Sequence, residues 1–216
     1  MLINQLFAAK PIPFGPKGAP SSIAKHPVES LTVYYDGTDE DEQGNKKLHG
    51  GVEKVLHQYS LASYTLFQQH FPDEATKFVP GSIGENISVV GMDDTNVRIG
   101  DVYRMGNVVL QVGSPRVPCN KISHRFGIDG LDRFVNQHAI SGWYYRVLQT
   151  GEIKVGDKVE LEATDSSSMT IAEFMKCVND RNASSEQLTR AANLLDLDPE
   201  WRERLSMRAR HAKKTA

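Results

Sequence analysis

Val97-Arg98-Ile99-Gly100-Asp101-Val102-Tyr103 and Val108-Val109-Leu110-Gln111-Val112, set either side of Met105-Gly106-Asn107, are the clearest β signal in the chain. β-Branched and aromatic residues suit a pleated, half-buried surface, and a Gly-Asn turn between two such runs predicts a hairpin. Val155-Gly156-Asp157-Lys158-Val159-Glu160-Leu161 repeats the pattern further on. Working outward, shorter β-rich runs cover Leu2 to Ala9, Leu31 to Tyr35, Lys54 to Tyr59, Ile87 to Val90 and Gly142 to Leu148. Helical spacing is confined to a stretch opened by Ser60 and closed by Pro72, to Leu131 to Gln137, and to the tail. Many short strands with few helices among them predict a mainly β fold with some α, an antiparallel barrel.

Directly after the hairpin comes Gly113-Ser114-Pro115-Arg116-Val117-Pro118-Cys119-Asn120-Lys121-Ile122. Nearby cations favour the thiolate, the reactive and metal-binding form of cysteine, so Arg116 and Lys121 would activate Cys119 if the loop folds them inward. The two prolines stiffen that loop by fixing φ. A soft sulfur suits copper(I), zinc, an iron–sulfur cluster or another thiophilic metal. The plainer alternative is an inert, buried thiol.

Other candidates are weaker taken singly. Lys25 follows a Pro- and Gly-rich loop, and a lone lysine is ordinarily a solvated charge. The polar stretch Asp36 to Lys47 is long for a loop without a role. It runs into Lys47-Leu48-His49-Gly50-Gly51, where the glycines allow a close backbone approach to a ligand and His49 could donate to a phosphate or carbonyl. Gly84-Glu85-Asn86 could orient a heterocycle or simply close a turn.

The chain has 216 residues, 39% of them hydrophobic, enough to bury a sizeable core. Its formal net charge of -2 gives no overall attraction to nucleic acid or anionic membrane. No apolar run approaches the roughly 20 residues that cross a bilayer. The first ten residues lack the basic and apolar regions of a signal peptide. Cys119 and Cys177 stand in unlike settings and read as unpaired thiols, which fits a cytoplasmic protein.

Composition changes at Asp165-Ser166-Ser167-Ser168, a linker. Thr170 with Glu173 and Ser184 with Gln187 have the spacing of capping boxes, and Asp198 before Pro199 caps a third helix. The division expected is residues 1–164 for the β domain and 165–216 for a small three-helix domain. The basic stretch Arg202 to Lys214 also carries Glu203, so a docking or dimerising role is expected of it rather than nucleic-acid binding, with a homodimer as one form.

Asp41-Glu42-Gln43 leading to Lys47-Leu48-His49-Gly50-Gly51, then Gly84-Glu85-Asn86, then Arg116-Val117-Pro118-Cys119-Asn120-Lys121, together resemble the signatures of MOSC domains. The three-helix tail is similar to that of the YiiM-like branch, whose members resist 6-N-hydroxylaminopurine. Glu40 departs from the family, which has glycine before the aspartate. The resemblance implies a MOSC-type β-barrel that holds the molybdenum cofactor (molybdopterin), with Cys119 as ligand to the metal and catalytic residue. It further implies Lys25, Arg116 and Lys121 as charges for the cofactor phosphate, His49 with Gly50 and Gly51 as N–H donors, and Gly84, Glu85, Asn86 and Asn120 as further contacts. The implied activity is reduction of N-hydroxylated compounds such as N-hydroxylated purines, with electrons from a separate reductase. A cofactor or sulfur carrier without its own reductase activity is the alternative.

Overall fold

The computed structural model describes residues 1–45 and 50–215. His49, named above, lies outside them. The strands are β1 (Ile3–Ala8), β2 (Ile12–Phe14), β3 (Ala19–Ser21), β4 (His26–Val28), β5 (Ser30–Val33), β6 (Leu56–Gln58), β7 (Ile87–Val89), β8 (Val102–Met105), β9 (Val108–Pro115), β10 (Trp143–Gln149), β11 (Gly151–Lys154) and β12 (Val159–Ala163). The α-helices are α1 (Leu61–His70), α2 (Lys121–Phe126), α3 (Leu131–His138), α4 (Ile171–Asn179), α5 (Ser185–Ala192) and α6 (Pro199–Thr215).

The predicted hairpin forms as β8 and β9, in register from Met105–Val108 to Val102–Gln111. Val97 to Asp101 do not join the strand; Arg98 makes an isolated bridge to Thr170 instead. The Pro-rich stretch read as a loop contains the hairpin β2–β3, with Pro13 opposite Pro20. Glu40, the departure noted above, ties the acidic loop to β5: its carboxylate accepts from the backbone N–H and the hydroxyl of Thr32, both at 3.0 Å.

Eight strands form one sheet in the order β12-β8-β9-β10-β6-β7-β1-β4, and β11 pairs separately with β5. The expected mainly β barrel is therefore corrected to a mixed α/β fold on a large, curled sheet that is not closed. Among the described residues the first residues of the chain approach the segment before β12 through the isolated Leu2–Lys158 bridge, with backbone bonds from the Ile3 N–H to the Asp157 carbonyl and from the Val159 N–H to the Met1 carbonyl, both at 2.9 Å, but no strand ladder spans the gap. β12 pairs with β8 alone and stands at the edge of the sheet, while β1 already has β7 on one side and β4 on the other.

All eight residues of β9 are buried, so this strand is covered on both faces. One side belongs to an apolar cluster that includes Leu110, Val112, Trp143 and Tyr145, and also Ile171, Phe174 and Trp201 of the tail. The core thus passes from strands to helices without a break. A second cluster is aromatic, with Phe78 stacked between Phe67 and Phe126 at 4.8 and 4.5 Å.

Both capping boxes form. The Thr170 hydroxyl accepts from the Glu173 N–H at 3.2 Å while the Glu173 carboxylate accepts from the Thr170 N–H at 2.8 Å, and Ser184 and Gln187 do the same. Buried Asp198 accepts from the Glu200 N–H at 2.8 Å, and its own N–H donates to the Gly113 carbonyl at 2.9 Å. The first turn of α6 is thereby fastened to β9. Among the described residues, no helix is long and apolar enough to cross a membrane.

Candidate functional site

The loop after β9 is anchored at both ends. The Arg116 N–H donates to the Gly142 carbonyl at 3.0 Å, and the Cys119 carbonyl accepts from the Ile122 N–H at 3.0 Å as α2 begins. Cys119, half-buried, borders a cleft. Lys25, Arg116, Lys121 and Gly84 border it too, so residues far apart in sequence do meet. The cleft also has walls that the sequence reading missed: His57, Tyr144, Lys54 and Gly44.

His57 and Tyr144 are partners in the β6–β10 register, with ring centroids 5.3 Å apart. Alternation along β10 sends Trp143 and Tyr145 into the core, both fully buried, and leaves Tyr144 on the cleft side. That alternation was the available signal, since one aromatic in Trp143-Tyr144-Tyr145 had to face away from the other two. Gly44 matters through what it lacks. A Cβ there would stand 2.5 Å from the Pro20 carbonyl oxygen, so the rim closes on Pro20 only around a glycine.

Charge divides unevenly among the cations. Arg116 is 6% exposed, and its Nη1 is buried without a hydrogen-bond partner. Unmet buried donors on a charged group are costly, and here the donor lies on a residue that borders the cleft beside a thiol. Lys25 is differently placed: it is ion-paired with Asp41, both side chains being 5% exposed. Burial pulls the Lys25 ammonium below its ordinary pKa, with Asp41 opposing. Lys121 is half-buried and donates to the Pro20 carbonyl at 2.9 Å. Burial raises the Tyr144 phenol above its ordinary value, and Arg116 opposes the rise.

Gly84 holds a left-handed φ of +89°, and a Cβ there would lie 3.2 Å from the Ile23 Cα. Glu85 and Asn86, the two residues after it, do not border the cleft. Glu85, fully buried, accepts from the Tyr64 hydroxyl and from the Gly81 N–H at 2.6 Å. Desolvation lifts its carboxyl above the usual range. The Asn86 side chain accepts from the His57 N–H at 3.0 Å and donates to the Phe7 carbonyl at 3.2 Å and to Asp41 at 2.9 Å. These two residues hold the ground beneath the cleft. Gly50 and Gly51 border an adjoining cleft with Lys10 and Asp36, and Gln43 touches both clefts. Asn120 is exposed at the head of α2.

The arrangement offers a thiol, a buried guanidinium with spare donor capacity, and backbone brought close at two glycines. That set fits an anionic ligand carrying a thiophilic centre. Among the described residues, no group of three or more His, Cys, Asp or Glu side chains could hold a metal ion.

Residues 45–160 match the family model described as the MOSC domain. The chain is 32% identical to protein YiiM of Escherichia coli (strain K12) over 187 residues, 86% of this chain and 83% of that one. It is 33% identical over 147 residues to a protein named "Reductase" from Gibberella moniliformis (strain M3125 / FGSC 7600), 68% of this chain and 26% of that one. The crystal structure of YiiM from Escherichia coli superposes with a TM-score of 0.81 at 24% identity, over 98% of this chain and 94% of that one.

Proposed function

The chain belongs to the MOSC-domain family, and from that premise we propose that it is a molybdenum-cofactor-binding reductase of N-hydroxylated compounds, purines such as 6-N-hydroxylaminopurine among them. The observation that carries this reading is the pairing of Cys119, at the edge of a cleft, with the buried, unpartnered Nη1 of Arg116. The relative named as a reductase supports the reaction class.

When bound, the cofactor would supply the metal, its dithiolene sulfurs and the two-electron chemistry. The chain's part is ligation and placement. Cys119 provides the protein sulfur, and a thiolate is a far softer ligand than any neighbouring oxygen. Arg116 provides a charge already desolvated, so an anionic phosphate gains a charge-assisted bond without a further burial cost. Lys121 adds a half-buried cation at the rim. Gly44 and Gly84 keep the walls close, and His57 and Tyr144 present a polar, aromatic floor. Removing oxygen from an N-hydroxyl group as water takes two electrons and two protons, and the electrons would come from a separate reductase partner.

Protein made in a cofactor-producing host tests this directly. The parent should contain molybdenum by elemental analysis and reduce 6-N-hydroxylaminopurine with an artificial donor. Cys119→Ser should lose both. Cys177→Ser, in α4 with its thiol 3.8 Å from the Gln187 carbonyl, should keep both. A parent chain without molybdenum, or a Cys119→Ser variant with full activity, overturns the reading.

A further inference from the structure

Cys119 borders a second cleft as well, which shares Lys54 and Tyr144 with the first. Its remaining walls differ in kind. Val117, 44% exposed, projects from the cysteine loop, and Glu200, Trp201 and Arg204 come from the first turns of α6. The Asp198 cap, tied to Gly113 just ahead of the loop, fixes that helix end relative to Cys119. The Arg204 guanidinium lies over the Trp201 ring, 5.0 Å from its centroid. Trp201 is itself held edge-on by Phe174, with centroids 5.4 Å apart at 88°.

We propose that this second cleft is the substrate site, in which Trp201 and Arg204 of α6 select a planar heteroaromatic ligand and present it to Cys119. The proposal rests on the reading of Cys119 as the reaction centre. Three observations converge on it. The first cleft holds the buried, unsatisfied Arg116 and so suits the anionic end of a cofactor, which leaves the other side of the thiol for the reacting partner. The second cleft is walled by an indole, a phenol, an aliphatic side chain and a planar guanidinium, surfaces that stack on flat rings. Its charge is nearly balanced, because Lys54 and Glu200 are paired at 2.7 Å and Arg204 remains. A neutral or singly negative ring is therefore accepted, and a cation is disfavoured. The C-terminal helices, on this view, are a wall of the active site.

The probe is 2-aminopurine, a fluorescent planar purine whose emission is quenched on stacking. Titrated with the parent protein it should be quenched saturably. Val117→Trp, which fills the cleft from an exposed loop position, and Arg204→Ala, at an exposed helix position, should each raise its Kd about tenfold or more, a loss of about 1.4 kcal/mol. Molybdenum content should stay as in the parent. Cys119→Ser should lose molybdenum yet still bind 2-aminopurine, which separates the two readings. A parent that binds the probe but contains no molybdenum sinks the reductase reading and leaves the aromatic site standing. No quenching in the parent up to about 1 mM, or parent-like Kd values in both cleft variants, overturns the proposal.

Discussion

Lys25 and Asp41 form an ion pair in which only 5% of each side chain is exposed, and Asp41 also accepts from the Ala9 N–H at 2.8 Å and from Asn86 at 2.9 Å. Removing one partner of such a pair leaves a buried charge uncompensated. Lys25→Ala should therefore lower the stability of the cofactor-free protein by about 3 kcal/mol. The Ala9 and Asn86 donors keep the loss from being larger. Lys121→Ala, at a half-buried lysine whose ammonium bonds only a backbone carbonyl, should cost less, within about 1 kcal/mol of the parent. Urea unfolding midpoints compare the two, and equal midpoints would show that the Lys25 pair contributes nothing.

Arg116 behaves in the opposite sense. Its guanidinium is buried with one donor unmet, so Arg116→Ala should leave the cofactor-free protein nearly as stable as the parent. Cofactor binding should weaken about tenfold to a hundredfold, the worth of one charge-assisted bond. The thermal stabilisation gained on cofactor addition is the readout, because binding to the native state alone sets that gain. An unchanged gain would make Arg116 a structural residue.

Asp94 supplies a pH dependence. Its carboxylate accepts from the Gly142 N–H at 2.9 Å, and Gly142 in turn accepts from the Arg116 N–H. Burial pushes its pKa from 3.8 to about 7, against the pull of the Gly142 bond. The native state thus keeps a proton that the unfolded chain releases near 4. Stability from this group is full below about pH 4 and lost as pH rises through about 7, an effect on the order of 4 kcal/mol. Asp94→Asn preserves an acceptor for Gly142 and should flatten that part of the curve. Equal slopes between pH 4 and 7 in both proteins would contradict the assignment.

Truncation at Thr164 removes more than a tail. The Ile171 N–H donates to Val97, the Ala172 N–H to Asp94 and the Asp198 N–H to Gly113, and Ile171, Phe174 and Trp201 complete the apolar cluster of the sheet. A chain ending there should lose near-UV circular dichroism and cooperative urea unfolding. A sharp transition with native-like spectra would show residues 1–164 to be autonomous.

Local signals were legible and long-range ones were not. The Thr170–Glu173 and Ser184–Gln187 boxes and the Val108 strand each depend on residues within a few positions of one another. The missing barrel closure turns on how far the first residues pair with the segment around Lys158, more than 150 positions away, which no window of sequence contains. Cys119, Arg116 and Gly84, quoted together from the family signature, border one cleft. Glu85 and Asn86, implied as cofactor contacts, lie buried and bond to Tyr64, Asp41 and backbone, a placement set by residues far from them in sequence. His57 became a wall only through its register with Tyr144, a partner 87 positions away.

Cys119 opens onto two chambers, and that gives the molecule a built-in reporter. The rate at which a small alkylating reagent such as iodoacetamide consumes the thiol will fall when either chamber is filled. A bulky reagent that fits one side alone will be slowed selectively. The order in which partners arrive and depart could thus be followed by the modification of one sulfur, with no turnover at all.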